Sequence, residues 1–303
     1  MCFACLDLPI YHFGILKNIA GVLLMHIREM LKKDIDFALG LTSAEGWSST
    51  GLDFEDLLEF DPQACFIAEM DGEPIGMICT VPYDGFGYMS NLIVLEKHRK
   101  RGYGTELMEY AIDYLESRNV RTQMLDGVRD AISLYERLGF RRVCRSLRLE
   151  GRVNPLASEN VRFMTDEDLV IINQLDTQLF GACRKQFLQS LLVHFPRLCR
   201  VLEVNEEICG YIMGSERWGS IRIGPWGMIQ HLGLAEELLR AFSTETGESA
   251  LRIGVLERSQ EAVDLFQKHN FTQTSYSWRM IRGLDGEWSL SNRLYAICSP
   301  DRG

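Results

Sequence analysis

The chain has 303 residues, 46% of them hydrophobic, which is enough for a large core and for more than one ordinary domain. A formal net charge of −10 argues against a nucleic-acid-binding protein, because a phosphate polymer calls for a basic face, and no apolar run reaches the length of a membrane span. The nine cysteines are scattered and several lie in apolar strands; no Cys/His spacing reads as a zinc site, so they predict free thiols in a reducing, cytoplasmic setting, with no metal.

In chain order, residues 1–24 resemble a signal sequence only faintly, since Lys17 and Asn18 interrupt the apolar stretch, and they read as an extension outside the fold. His26 to Met30 predicts a first strand. Asp34 suits the N-cap of a helix carrying Ile35, Phe37, Ala38, Leu39 and Leu41. A polar loop holding Glu45 and Trp47 follows, then a short helix from Phe54 to Phe60. Asp71-Gly72-Glu73-Pro74 between two apolar runs is a hairpin signal. Tyr88 to Val94 predicts the next strand.

That strand feeds Arg99-Lys100-Arg101-Gly102-Tyr103-Gly104, a basic turn with two glycines that opens a helix with Leu107, Met108, Ala111, Ile112 and Leu115 on one face. A strand-turn-helix of this kind aims backbone N–H groups and the positive end of the helix dipole at one spot, where a phosphate can sit. Asn119 suits the helix end, Val120 to Leu125 a strand, Ala131 to Leu138 a helix closing at Gly139, and Phe140 to Leu149 a last strand. The result is a mixed α/β fold around one sheet.

The order then repeats. Cys65 to Gly76 aligns with Cys199 to Gly210, and Ala131 to Phe140 with Ala262 to Phe271. The expected organisation is an extension at 1–24, a first unit at 25–150, a linker at 151–160 and a second unit at 161–303, opened by a capping box from Thr165 to Asp168. Trp288 to Cys298 predicts a final strand for the second unit.

Two stretches of the first unit, Arg-x-x-Gly-x-Gly at 99–104 and Ala-x-x-Leu-Tyr-x-x-x-Gly-Phe at 131–140, resemble the Gcn5-related N-acetyltransferase (GNAT) family. The resemblance implies two tandem GNAT folds and an acetyl-CoA site in the first. The diphosphate would rest on the N–H groups from Arg101 through Gly102, Tyr103 and Gly104 to Thr105, with Arg99 and Lys100 at the rim and the pantetheine arm along Leu92, Ile93 and Val94. Tyr135 would donate a proton to the departing thiolate, and Glu45 and Trp47 would border the acceptor. The family often places Asn seven residues before this tyrosine; here the position is Val128.

The second unit carries Phe266 where the first has Tyr135, and no Arg-x-x-Gly-x-Gly, so it reads as a degenerate copy with structural work or a share in the acceptor site. The expected activity is direct transfer of acetyl from acetyl-CoA to a primary amine, on a small molecule or a peptide, with Glu69, Glu45 or Asn91 (holding a water) as candidates for base. The alternative is a non-catalytic acyl-CoA-binding sensor or scaffold.

Overall fold

The structure, a computed structural model, describes residues 25–229, 233–283 and 291–303. The first ten elements are β1 (His26–Glu29), α1 (Ile35–Ala44), α2 (Gly51–Phe60), β2 (Cys65–Met70), β3 (Glu73–Pro82), β4 (Gly87–Val94), α3 (Tyr103–Ser117), β5 (Gln123–Gly127), α4 (Ile132–Arg137) and β6 (Arg141–Gly151). The next ten repeat that order: β7 (Val161–Phe163), α5 (Leu169–Phe180), α6 (Lys185–His194), β8 (Cys199–Val204), β9 (Glu207–Arg217), β10 (Ser220–Met228), α7 (Leu234–Phe242), β11 (Ala250–Leu256), α8 (Gln260–Lys268) and β12 (Thr272–Arg282). A last strand, β13 (Leu294–Ala296), follows. The expected extension at 1–24 lies outside the described residues, as does Trp288 at the start of the expected tail strand.

The repeat extends to single side chains. Arg28 on β1 pairs with Asp34 at 2.6 Å and with Glu69 on β2 at 2.7 Å. Arg162 on β7 pairs in the same way with Asp168, and with Glu203 on β8, each at 2.7 Å. Asp34 stands at the N-cap of α1, but its carboxylate turns back to accept from Arg28 and from the Leu31 N–H, so it fixes the entry turn instead of capping forward. Thr165 and Asp168 hold the equivalent turn before α5.

Element ends differ from the sequence reading where backbone bonds decide them. α2 begins at Gly51, three residues earlier than expected, because the Asp53 carboxylate accepts from the Thr50 N–H at 2.8 Å and from its hydroxyl at 2.9 Å. β5 begins at Gln123 because Asn119, at φ 63°, and the Val120 N–H bonded to Leu115 O close α3.

All thirteen strands join in one sheet, in the order β1-β2-β3-β4-β5-β12-β6-β11-β10-β9-β8-β7, with β13 against β10. The sixth strand of each unit is exchanged: β12 lies on β5, and β6 lies on β11. They pair antiparallel with each other, and Ser146 stands opposite Ser277, its own counterpart in the repeat. The sequence boundary at 151–160 therefore separates two copies of one element order, while the sheet runs through both. The helices cover its two faces. α3 packs on the β2–β5 face through Leu107, Met108, Ala111 and Leu115, and α7 and α8 cover β10 and β11 with Leu238, Leu239 and Phe266. On the opposite face Phe54 and Leu57 of α2 share one core with Phe180 and Phe187 of α5 and α6, so the units are fused by apolar packing as well as by strands. Of the seven described cysteines, six are buried and Cys183 is exposed, and none forms a disulfide. Among the described residues no helix is long and apolar enough to cross a membrane.

Candidate active site

β4 and β5 pair in parallel only at Gly87–Met89, opposite Gln123–Leu125, and then diverge. On its other side β4 stays paired with β3, with a register shift between Met77 and Cys79 that leaves Asn91 bulged at φ 51°. Among the described residues the backbone of Ser90 to Val94 thus has one edge without a strand partner, facing a cavity of about 750 Å³. Leu92, Ile93, Val94 and Tyr135 all line it.

At the end of β4 the chain turns through two left-handed residues, Lys100 at φ 62° and Gly102 at φ 93°, and enters α3 at Tyr103. The Thr105 and Glu106 N–H groups both return to Gly102 O, at 2.8 and 3.1 Å. Thr105 therefore spends its N–H on starting the helix, contrary to the expectation that it serves the ligand. Among the described residues the N–H groups of Arg101, Gly102, Tyr103 and Gly104 give no backbone hydrogen bond, and they crowd the positive end of a 15-residue helix. Lys100 and Arg101 are exposed and, among the described residues, not ion-paired. Burial, together with the positive charges of Lys97 and Arg101, pushes the pKa of neighbouring His98 down. The residues present suit a diphosphate: free amides, a basic rim, and no Cβ at Gly102 or Gly104.

Arg99 is placed differently from Lys100 and Arg101. Its Nε donates to Val94 O at 2.8 Å and its Nη2 to the Glu45 carboxylate, so it braces the turn against the loop after α1. Glu45 and Trp47 line the same cavity, and Trp47, 37% exposed, also lines a second pocket that Tyr276 shares. Asn91 lines it too. Glu69 does not: it lies on β2 beside the sheet edge, tied to Arg28. Its counterpart Glu203 pairs with Arg162 in the same way, so the position is a repeated structural ion pair.

Tyr135 is 7% exposed, its ring set against Phe140 at 6.2 Å between centroids and over Gly127, where a Cβ would come within 3.0 Å of the ring. Burial pushes its pKa well above the ordinary phenol value, which keeps the hydroxyl protonated. Val128, where the family often has Asn, is on the cavity wall and cannot hydrogen-bond a ligand through its side chain.

Two family descriptions match the chain. Residues 31–140 match the Acetyltransferase (GNAT) family, and residues 172–296 match the Acetyltransferase (GNAT) domain. The chain belongs to the GNAT family. Among curated proteins it is 30% identical over 83 residues to an uncharacterized N-acetyltransferase, YobR, of Bacillus subtilis, covering 26% of this chain and 34% of that one. It is 38% identical over 86 residues to a mycothiol acetyltransferase of Streptomyces avermitilis, covering 27% of this chain and 28% of the relative. The chain thus spans about a third of these relatives' length. The crystal structure of a proposed acetyltransferase from Pyrococcus horikoshii is similar over 96% of this chain and 100% of its own, with a TM-score of 0.80 at 24% identity, a likeness of fold.

The two GNAT copies differ at the groove. β10 pairs with β11 at Ser220–Ile223 and diverges from it, as β4 does from β5, but there Trp226 and Gly227 pair with Ala296 and Leu294 of β13. The Ile297 N–H continues to Gly254 O on β11 at 2.9 Å, so the chain's own tail fills the opening. A Cβ on Gly224 would come within 2.0 Å of Ile297 O, so this close approach requires glycine. Trp226 is fully buried, 5.0 Å from the Tyr295 ring and 5.8 Å from Phe266, the counterpart of Tyr135.

The first copy's cavity also reaches residues that the sequence reading did not single out. Arg148 on β6, Arg222 on β10, Arg252 on β11, Ser277 on β12 and Asp301 in the tail all line it. The strand exchange and the tail bring them there. In sequence each arginine alternates with apolar neighbours (Leu147-Arg148-Leu149, Ile221-Arg222-Ile223, Leu251-Arg252-Ile253), the pattern of a polar strand face. Alternation shows that a face is polar; it does not show that another unit roofs it.

Proposed function

We propose that the chain moves an acetyl group from acetyl-CoA to a primary amine, using the cleft between β4 and β5. The observation that carries this reading is the open β4 edge, which runs from an anion-cradling turn to a buried, neutral Tyr135 on the wall of one cavity. The N–H groups of Arg101 to Gly104 would hold the diphosphate, and the β4 backbone at Leu92 to Val94 would hydrogen-bond the pantetheine amides as a neighbouring strand would. Bound acetyl-CoA supplies the acyl group as an activated thioester. Transfer makes one C–N bond and breaks one C–S bond; Tyr135 gives its hydroxyl proton to the sulfur, and the proton lost by the amine nitrogen, carried through water, restores the Tyr135 hydroxyl. The cavity's size, within the ordinary range for ligand sites, and its walls from both copies suit alignment of two substrates. The second copy's groove, filled by β13, Trp226 and Tyr295, supports a single cofactor site per chain, with the second copy serving to build the acceptor side.

The test is release of free CoA from acetyl-CoA as a panel of primary amines is added. Amine-dependent release supports the enzyme; stoichiometric binding without release by any amine would return the chain to the sensor reading.

A further inference from the structure

On the acceptor side of the cavity, three charged residues stand in one row across three strands. Arg222 on β10 is in register with Arg252 on β11, and Arg252 with Glu150 on β6. Arg252 pairs with Glu150, Nε to Oε2 at 2.9 Å. Arg222 is left beside them, half-buried, and among the described residues its one side-chain hydrogen bond goes to the neutral Ser48 hydroxyl at 3.3 Å. Four of its five N–H donors are therefore unassigned.

The other arginines on these walls are ion-paired to carboxylates. Arg99 is held by Glu45, and Arg148 by Asp126 at 3.2 Å. Asp53 is held by Arg217 at 2.8 Å and by Arg302 at 3.0 Å. Asp301 accepts from Arg302 at 3.2 Å and from the Ser299 hydroxyl. Asp130 has no ion pair among the described residues, but it is exposed at the rim beside Val128. Arg222 lies near enough to Asp301 for its charge to help hold that carboxyl ionised, yet among the described residues it makes no ion pair and keeps its guanidinium fork open.

We infer that Arg222 is the seat for a carboxylate on the acceptor, and that the substrate class is amines bearing a carboxylate, amino-acid-like molecules among them. This rests on the acyl-transfer reading. A guanidinium fork matches a carboxylate in two parallel hydrogen bonds, and Ser48 and Arg252 flank the position. Ser48 belongs to the loop of the first copy and Arg222 to a strand of the second, so the seat exists only where the copies meet. That gives the second copy, whose own groove is filled, a part in choosing the substrate.

The experiment uses the full chain with acetyl-CoA present and, as probes, a panel of α-amino acids paired with the corresponding amino-acid amides. Two readouts are taken, thermal stabilisation by each probe and CoA release. The expected result is that acids stabilise the protein and amides do not, and that the preference is lost in Arg222→Gln and partly kept in Arg222→Lys. In CoA release the acid form of an accepted amine has a KM about 10–100-fold below that of its amide, and Arg222→Gln raises it to the amide's value with kcat changed less. Equal response to acids and amides, response to neither, or an unchanged preference in Arg222→Gln overturns the inference. Acid binding that depends on Arg222, with no CoA release from any probe, would instead leave the seat standing and count against acyl transfer.

Discussion

Tyr135→Phe is expected to lower kcat by about 10²–10³-fold, with the affinity for acetyl-CoA unchanged, since a positioned general acid contributes about 10²–10⁴-fold. The substitution removes one oxygen and nothing that the fold uses: the ring makes the contacts with Phe140 and Gly127, and among the described residues the hydroxyl has no hydrogen-bond partner. Thermal stability should therefore be close to that of the wild type. The pH dependence follows from the direction of the shift. Burial raises the pKa, so the acid stays protonated above the pH at which an ordinary tyrosine ionises, and kcat should show no alkaline fall from this group up to about pH 10. Full activity in Tyr135→Phe would leave protonation of the thiolate to solvent.

Asp126→Ala is expected to destabilise the protein by about 3–5 kcal/mol, because it removes the carboxylate from a buried pair and leaves the cations behind. The Asp126 side chain is 0% exposed and Arg279, 1% exposed, donates to it at 2.7 Å, while Arg148 reaches its other oxygen at 3.2 Å. Arg148 and Arg279 are counterparts in the repeat, one on each exchanged strand, so this carboxylate of β5 ties β12 and β6 to the first copy. In thermal melts at pH 7 the variant should unfold roughly 5–10 °C below the wild type. Asp130→Ala, at the exposed rim, should stay within about 0.5 kcal/mol of it. Burial by itself would raise the Asp126 pKa, but the Arg279 and Arg148 charges outweigh it and hold the group below the ordinary carboxylate value. Its contribution is then fully present above the unfolded-state pKa, about 4, and is lost as pH falls through the lower folded value. The gap between wild type and Asp126→Ala should narrow below pH 4.

What the sequence shows well is what local chemistry determines. The turn at 99–104, the helix face after it and the hairpin at 71–74 follow from glycine placement, periodicity and turn residues, whereas Tyr135 is pointed to only by the family resemblance of 131–140. The duplication is also visible, since Cys65–Gly76 and Cys199–Gly210 align without a gap. Pairing between distant strands is not visible in this way. β6 and β12 have the same alternation whether each returns to its own unit or crosses to the other, so the exchange, and with it the positions of Arg148 and Arg279, comes only from the fold. Arg99 and Glu69 illustrate the same limit: a basic residue at a phosphate turn and an acid on a strand suggest ligand roles, but Glu45 and Arg28 come from elsewhere in the chain to pair with them. The tail strand is legible as a strand, whereas its place inside the second copy's groove depends on Gly224 allowing Ile297 to approach.

The most direct test of one cofactor cleft, in the first copy, is calorimetric titration of the full chain with acetyl-CoA, on wild type and on the Gly102→Glu, Gly104→Glu double variant. The variant puts two carboxylates at the helix terminus where the diphosphate would rest and forces a side chain onto a residue at φ 93°. The account predicts one site per chain in the wild type and none in the variant. Two sites per chain, or binding that survives in the variant, would contradict it.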